Sequence, residues 1–225
     1  MTLKRATLLG LIGLSYTFAL KTIGTFLPGI FTVASVRQAA TVMSLIASLT
    51  LVVFYVVFRR DYLQKDQIAL KRASAFAIIG SSAILVLRTK NLLLLSNAFV
   101  IVIYETSPFL FRLVRSSAPE ALAAWISSIL FLSFFVVFHK EVLHKKLTNL
   151  KRATLSGVIG SSIGALLLTV ILLNSVYSGQ LRWFHVTFRT SISLFLPFTA
   201  LGFASLFYFF FIFYKEQTAK RGVRS

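Results

Sequence analysis

Long apolar runs separated by short basic clusters restrict the fold of this chain more than any other feature. A helix needs about 20 apolar residues to cross the hydrocarbon core of a bilayer, which is about 30 Å thick. Six segments approach that length: 6–26, 39–58, 73–95, 121–138, 153–173 and 191–213. The runs are continuous and do not alternate in polarity as barrel strands do. They predict an all-α integral membrane protein with six transmembrane helices.

The composition agrees with that fold class. The chain is 57% hydrophobic and 13% charged, whereas soluble domains carry about 25% charged residues. It has no cysteine, which excludes disulfides and thiolate metal sites. The first apolar run follows "MTLKR" without a small-x-small cleavage site. We therefore expect it to be the first span and not a cleaved signal peptide.

A repeated phrase divides the chain into three. "LKRATLLGLIGLS" begins at Leu3, "LKRASAFAIIGSS" at Leu70 and "LKRATLSGVIGSS" at Leu150. The second helices also match: "VVFRRDYLQK" (56–65) resembles "VVFHKEVLHK" (136–145), and "FYKEQTAK" (213–220) resembles "FHKEVLHK" (138–145). We predict one membrane domain, 1–225, built from two-helix units at 3–69, 70–149 and 150–225. Two-helix units all point the same way, which favours a pseudo-three-fold axis along the membrane normal and not inverted repeats.

One acid recurs in the second helix of each unit, with a cation four residues later. The acids are Asp61, Glu141 and Glu216, and the cations are Lys65, Lys145 and Lys220. Acid before base at this spacing stabilises a solvent-exposed helix. The even-numbered helices are therefore predicted to continue beyond the membrane.

The distribution of positive charge predicts the orientation. Of the 24 Lys and Arg residues, 16 flank the ends that carry the LKRA phrases and 8 flank the opposite ends. The richer side is expected to be cytoplasmic, so both termini are predicted there, in a multi-pass protein of a cell or organelle membrane. Candidate docking residues for anionic headgroups or partner subunits are Arg59, Arg60, Lys65, Lys71, Arg72, Lys145, Lys146, Lys151, Arg152, Lys220 and Arg221.

The connections on the opposite side are unusually apolar. Segments 27–36, 92–114 and 175–190 mix apolar residues with cations. The longest stretch, 91–115, has three alternative structures: an interfacial helix, a re-entrant segment, or an extension of the third helix. We favour the interfacial helix.

Small residues recur at matched positions of the odd-numbered helices. They allow close approach of helix backbones in lipid, where packing must drive association. The predicted packing residues are Gly10, Gly13, Gly80, Gly157, Gly160 and Gly164.

Two cations lie near the far end of the odd-numbered helices. Lys21 and Arg88 occupy the same repeat position, and at 100° per residue they lie within about 20° of Gly10 and Ala77. With Lys90 they form a candidate anion site, since a cation on a packing face is a functional candidate. Snorkelling of the long side chains to the headgroups is the favoured alternative.

No catalytic or cofactor-binding pattern is present. No Asp or Glu lies in the middle of a predicted helix, and His139, His144 and His185 do not have a metal-binding spacing. P-loop, Rossmann, G-x-S-x-G and HExxH motifs are missing. We expect no cofactor and no metal, and we do not expect an enzyme.

The plan of three two-helix units is similar to that of mitochondrial-type carriers. Their Pro-x-Asp/Glu-x-x-Lys/Arg signature is absent, and the four prolines lie elsewhere. Six helices in about 200 residues is also similar to the substrate-binding subunits of energy-coupling vitamin importers, but no motif matches. The sequence is assigned to neither family.

Three functions remain open on the sequence alone. The first and favoured one is a structural or accessory subunit of a larger membrane complex, with lipid, other subunits or a second copy of the chain as partners. The second is a channel or carrier for an anion, and the third is a sensor module with its output on a separate chain. The net charge of +18 lies in clusters beside membrane helices. Nucleic acid is therefore not expected as a partner, except as a transported polyanion.

Overall fold

A computed structural model provides the coordinates of the chain. It describes residues 1–27, 30, 33–63, 67–94, 100–101, 104–105, 107, 118–143, 148–177 and 182–222. Within these residues the protein is all-helical and contains no strand. The long helices are α1 (Leu3–Phe26), α2 (Ala34–Asp61), α3 (Ile68–Leu93), α4 (Ala118–Leu143), α5 (Thr148–Tyr177) and α6 (Arg182–Gly222).

Among the described residues, four helical segments are long and apolar enough to cross a membrane. They are Ser35–Asp61, Ile68–Leu93, Leu122–Leu143 and Thr148–Val170, which belong to α2, α3, α4 and α5. No more than about a third of the residues in the apolar window of each segment are buried within the protein. Large apolar side chains such as Ile12, Ile79, Val86 and Leu166 face outward. Such a surface indicates a location in a membrane.

The six long helices form a closed ring. Each one packs against the helix that follows it in the chain, and α6 packs against α1. Neighbouring helices whose side-chain contacts define their relative direction are antiparallel. In the α4–α5 pair, for example, His139 meets Thr154 while Trp125 meets Thr169.

The N-terminus lies at the same end of the ring as the last turns of α2 and α6. Arg60 Nη2 donates to Met1 O over 2.9 Å, and Lys4 Nζ lies 5.4 Å from the centroid of the Tyr214 ring. We call this the LKRA end, because Leu3, Leu70 and Leu150 are all buried in the core near the ends of the even-numbered helices.

Many hydroxyl groups inside the helices donate to a carbonyl of the preceding turn, whereas the buried Ser161 Oγ has no partner among the described residues. Thr7 Oγ1 donates to Leu3 O over 2.8 Å, and Ser127 Oγ donates to Ala123 O over 2.7 Å. Similar bonds to the preceding turn recur in α2, α3, α5 and the last turns of α6. Side chains bonded in this way leave few polar groups to satisfy in an apolar environment.

Some helix boundaries differ from the sequence-based expectation. α2 ends at Asp61, so Lys65 does not lie in the same helix as Asp61. α4 reaches Leu143, five residues beyond the predicted span, and Lys145 lies outside the described residues. α6 continues through both members of its pair, Glu216 and Lys220. Asp61 instead pairs with its neighbour, with Arg60 Nε 2.6 Å from Asp61 Oδ1.

The apolar connections also differ in part. Helix α5 continues to Tyr177 and α6 begins at Arg182, so most of 175–190 is helical and not an irregular connection. Pro197 lies inside α6, where it removes one backbone hydrogen bond from the helix. The segment 91–115 lies largely outside the described residues.

Candidate functional site

Three phenylalanines at matched repeat positions meet in the centre of the ring. Phe58 of α2, Phe138 of α4 and Phe213 of α6 are 0%, 1% and 0% exposed. Their ring centroids lie 5.2 Å apart for Phe58–Phe138, 5.7 Å for Phe58–Phe213 and 6.1 Å for Phe138–Phe213. These are normal distances for interacting aromatic pairs. The even-numbered helices thus meet one another through side chains that fill the space between them.

A second layer continues this packing away from the LKRA end. The ring centroids of Phe58 and Phe134 lie 5.4 Å apart. Those of Phe138 and Phe209 lie 6.1 Å apart, as do those of Phe213 and Phe54. All three contacts are edge-to-face. The two layers and the rings beside them form what we call the aromatic centre: Phe54, Tyr55, Phe58, Phe134, Phe135, Phe138, Phe209, Phe210 and Phe213. Every one of these residues is buried, so this part of the ring is filled by side chains.

Tyr62 covers the aromatic centre at the LKRA end. Its ring lies 4.8, 5.7 and 5.5 Å from those of Phe58, Phe138 and Phe213. Burial raises the pKa of Tyr62 to about 12, and the negative charges of Glu216 and Glu141 add to the effect. Two of the three recurrent acids therefore act on one phenol at the LKRA end.

The predicted packing glycines lie against the even-numbered helices. A methyl group at Gly13 would overlap Thr50 Oγ1 of α2, and one at Gly157 would overlap the Phe135 ring of α4. At Gly160 it would lie 2.7 Å from Gly202 O of α6, and at Gly10 it would lie 2.8 Å from the Phe210 ring. At Gly80 the nearest atom, Ser127 O, is 3.3 Å away, which is tight but less severe.

Gly164 is the exception among these glycines. A methyl group there would meet nothing within 4 Å, so no helix contact requires glycine at this position. The GxxxG pattern of α5 thus contributes one close contact, at Gly160, because only that glycine faces α6.

The cations predicted for docking are partly described. Arg59, Arg60, Arg72 and Arg152 are exposed at the LKRA end, while Lys71 and Lys151 are half-buried. Lys65, Lys145 and Lys146 lie outside the described residues, as do the side chains of Lys220 and Arg221. The described arginines are therefore free to reach a surface beyond this end, except that Arg60 is bonded to Asp61 and Met1.

The predicted anion site is described only in part. Arg88 is half-buried and lines a cavity between α1, α2 and α3, where the second cation is Arg37. The side chain of Lys21 lies outside the description, and the half-buried Lys90 is not among the cavity-lining residues. Arg37 was missed because it has no counterpart in the other repeats.

Side-chain contacts join α5 to the helices on either side of it. Trp125 Nε1 donates to Thr169 Oγ1 over 2.8 Å, and Ser156 Oγ donates to Ser205 O over 2.6 Å. His139 Nδ1 lies 2.9 Å from Thr154 Oγ1. Within the described residues no three His, Asp or Glu side chains come close enough to hold a metal ion.

Comparison of the chain with protein-family models, with curated proteins and with solved structures gives no match.

Proposed function

We propose that this protein is a non-enzymatic, six-span structural or accessory subunit of a larger membrane complex. In this proposal three helical hairpins, at 3–69, 70–149 and 150–225, surround a pseudo-three-fold axis. Both termini and the LKRA end face the cytoplasm, where exposed arginines bind anionic lipid headgroups.

The aromatic contacts support the three-fold arrangement. Phe138 follows Phe58 by 80 residues, and Phe213 follows Phe138 by 75. The same two offsets relate Phe54, Phe134 and Phe209. The contacts between the two sets repeat in cyclic order: Phe58 with Phe134, Phe138 with Phe209 and Phe213 with Phe54. Such a cycle is expected when equivalent units surround one axis.

The glycine contacts support the same arrangement. Gly13, Gly80 and Gly160 each face the second helix of their own hairpin. Gly10 faces Phe210 of the third hairpin, and Gly157 faces Phe135 of the second. One matched glycine thus holds a hairpin together and the other joins it to the preceding hairpin.

The buried aromatic centre is the observation that carries the functional proposal. A conduit along the axis needs polar groups or a gap through which a hydrated ion can pass. Here the axis is occupied by nine aromatic rings from three helices, covered by Tyr62. Its packing favours a rigid body over a pore, and this supports a structural role more than anion conduction.

Charge complementarity supports the lipid-binding part of the proposal. Arg59, Arg72 and Arg152 are exposed, and each basic residue near an anionic surface contributes about 1 kcal/mol. The LKRA phrase places a Lys-Arg pair at the start of α1, α3 and α5. Three basic pairs around one axis would spread the attraction over the whole end of the ring.

Affinity purification from native membranes in a mild, uncharged detergent tests the subunit proposal. We expect the tagged chain to elute together with partner chains in a fixed stoichiometry. The protein mass of the eluted particle should exceed the 25.1 kDa of the chain alone. In liposomes, the purified chain alone should give no anion flux above that of protein-free vesicles. A lone, monodisperse chain that conducts anions would contradict the proposal.

A further inference from the structure

A polar cavity opens between α1, α2 and α3 at the end of the ring opposite the LKRA phrases. Its volume is about 320 Å³, and it is lined by Thr17, Leu20, Arg37, Ala40, Thr41, Ser44 and Arg88. Two of these seven residues are cationic and three carry hydroxyl groups. No acidic residue is among them.

The two guanidinium groups are available to a ligand. Arg37 is exposed and Arg88 is half-buried, and neither makes an ion pair or a side-chain hydrogen bond within the described part of the chain. The nearby hydroxyls are already engaged as donors. Thr17 donates to Gly13 O, Thr41 to Arg37 O and Ser44 to Thr41 O, over 2.9, 2.8 and 2.8 Å. Among the described lining residues, the arginines are therefore the donors that remain for an anion.

The depth of the cavity narrows the choice of anion. Arg88 follows Arg72 by 16 residues in the same helix, which places it about 24 Å away along the helix axis. With Arg72 at one boundary of a core about 30 Å thick, Arg88 lies just inside the other boundary. Long cationic side chains at this depth reach the phosphate layer of the lipid headgroups.

We propose that Arg37 and Arg88 bind a phosphate group in this cavity. The planar guanidinium matches phosphate oxygens with two parallel hydrogen bonds, which makes arginine a specific phosphate ligand. The phosphate belongs either to a phospholipid headgroup of that leaflet or to a free phosphate anion. The site goes beyond the proposed structural role and does not depend on it.

A single introduced thiol tests the site, because the chain has no cysteine of its own. Ala40→Cys places the thiol in the cavity wall. Gln38→Cys, at an exposed residue that does not line the cavity, is the matched control. The rate of maleimide labelling is measured in uncharged detergent, with inorganic phosphate or dioctanoyl phosphatidylglycerol added as the probe. We expect at least one probe to slow the labelling of Ala40→Cys and neither to slow that of Gln38→Cys.

Charge removal then assigns the effect to the two arginines. In the Ala40→Cys background, R37Q/R88Q should raise the probe concentration needed for half protection by at least ~10-fold, because the variant loses charge-assisted hydrogen bonds from two guanidinium groups. R72Q/R152Q removes the same charge at the LKRA end and should leave protection unchanged. If R37Q/R88Q does not fold, Arg88→Lys replaces it. This variant keeps the positive charge but loses the planar guanidinium, so it should weaken protection by a smaller factor than expected for R37Q/R88Q.

The two probes distinguish the source of the phosphate. Protection by phosphatidylglycerol at concentrations where inorganic phosphate has no effect identifies a lipid headgroup, and equal protection by inorganic phosphate identifies a free anion. The proposal is overturned if neither probe protects Ala40→Cys, or if R37Q/R88Q retains full protection.

Discussion

The ring centroids of Phe58 and Phe138 lie 5.2 Å apart, although 80 residues separate the two in the sequence. Their edge-to-face contact joins α2 to α4, two helices that are not neighbours in the ring. Phe213 of α6 completes the group. The contacts between α2, α4 and α6 in the middle of the ring thus depend on a few large side chains, and removing one of them should leave a cavity.

We expect Phe138→Ala to destabilise the protein by about 3 kcal/mol or more, because it deletes a buried ring that contacts both other even-numbered helices. The measurement is thermal unfolding in detergent, followed by circular dichroism. Phe76→Ala is the matched control: Phe76 is 47% exposed and faces the surroundings of the ring. Equal losses in the two variants would contradict the central role of the aromatic rings.

The sequence predicts the helices better than it predicts their inward faces. The long apolar runs indicate helices because lipid leaves the backbone no external partner. In α4 and α6, however, apolar residues surround the helix on all sides, as in "FLSFFVVF" and "FYFFFIFY". No polar stripe distinguishes a protein-facing side from a lipid-facing one. The recurrence of Phe58, Phe138 and Phe213 at matched positions was the available signal for the aromatic centre.

The candidate anion site shows a different limit. Alignment of the repeated phrases pairs Lys21 with Arg88. The two residues occupy equivalent positions in different hairpins, and residues at equivalent positions need not lie close together in the fold. Arg88 lines a cavity together with Arg37, which belongs to α2. A contact between residues at different positions of two hairpins depends on how those hairpins pack against each other. Neither the periodicity of the sequence nor the spacing of its residues contains that information.

Two glycines of α5, one turn apart, should differ in their tolerance of alanine. Gly160→Ala should destabilise the protein by about 1–3 kcal/mol, because its methyl group would lie 2.7 Å from the backbone oxygen of Gly202, and α5 and α6 must separate to admit it. Gly164→Ala meets open space and should be neutral or slightly stabilising, since alanine favours the helix by up to ~1 kcal/mol. Unfolding temperatures of both variants, measured under one condition, check the prediction. The reverse order would show that α5 and α6 do not pack at Gly160.

Ionisation of Tyr62 should reduce stability at high pH. Its pKa is raised to about 12 in the folded protein, against about 10 for an unperturbed tyrosine. A raised pKa contributes stability that is complete below pH ~10 and is lost as pH rises through about 12. The contribution is about 2 kcal/mol at most, because Tyr62 is only partly shielded from solvent.

Comparison with Tyr62→Phe isolates this contribution. The difference in unfolding temperature between the two proteins should be constant from pH 7 to about pH 9. It should then shift in favour of the variant as the pH rises further. A difference that stays constant to pH ~12 would show that the Tyr62 phenol ionises equally in the folded and unfolded chains.

The proposed orientation predicts which introduced thiols a membrane-impermeant reagent can reach. Met1 and the last turns of α2 lie at one end of the ring, joined by the bond from Arg60 Nη2 to Met1 O. In the proposed orientation this end faces the cytoplasm, because it carries the excess of basic residues. In intact cells, Thr2→Cys should therefore resist a charged maleimide, and so should Ser225→Cys. Gln38→Cys, at the start of α2, should react. After permeabilisation all three should react at similar rates, which confirms that the thiols are accessible. If Thr2→Cys is labelled in intact cells and Gln38→Cys is protected, the orientation is the reverse of the one proposed. If Thr2→Cys is labelled and Ser225→Cys is not, the two termini lie on opposite sides of the membrane.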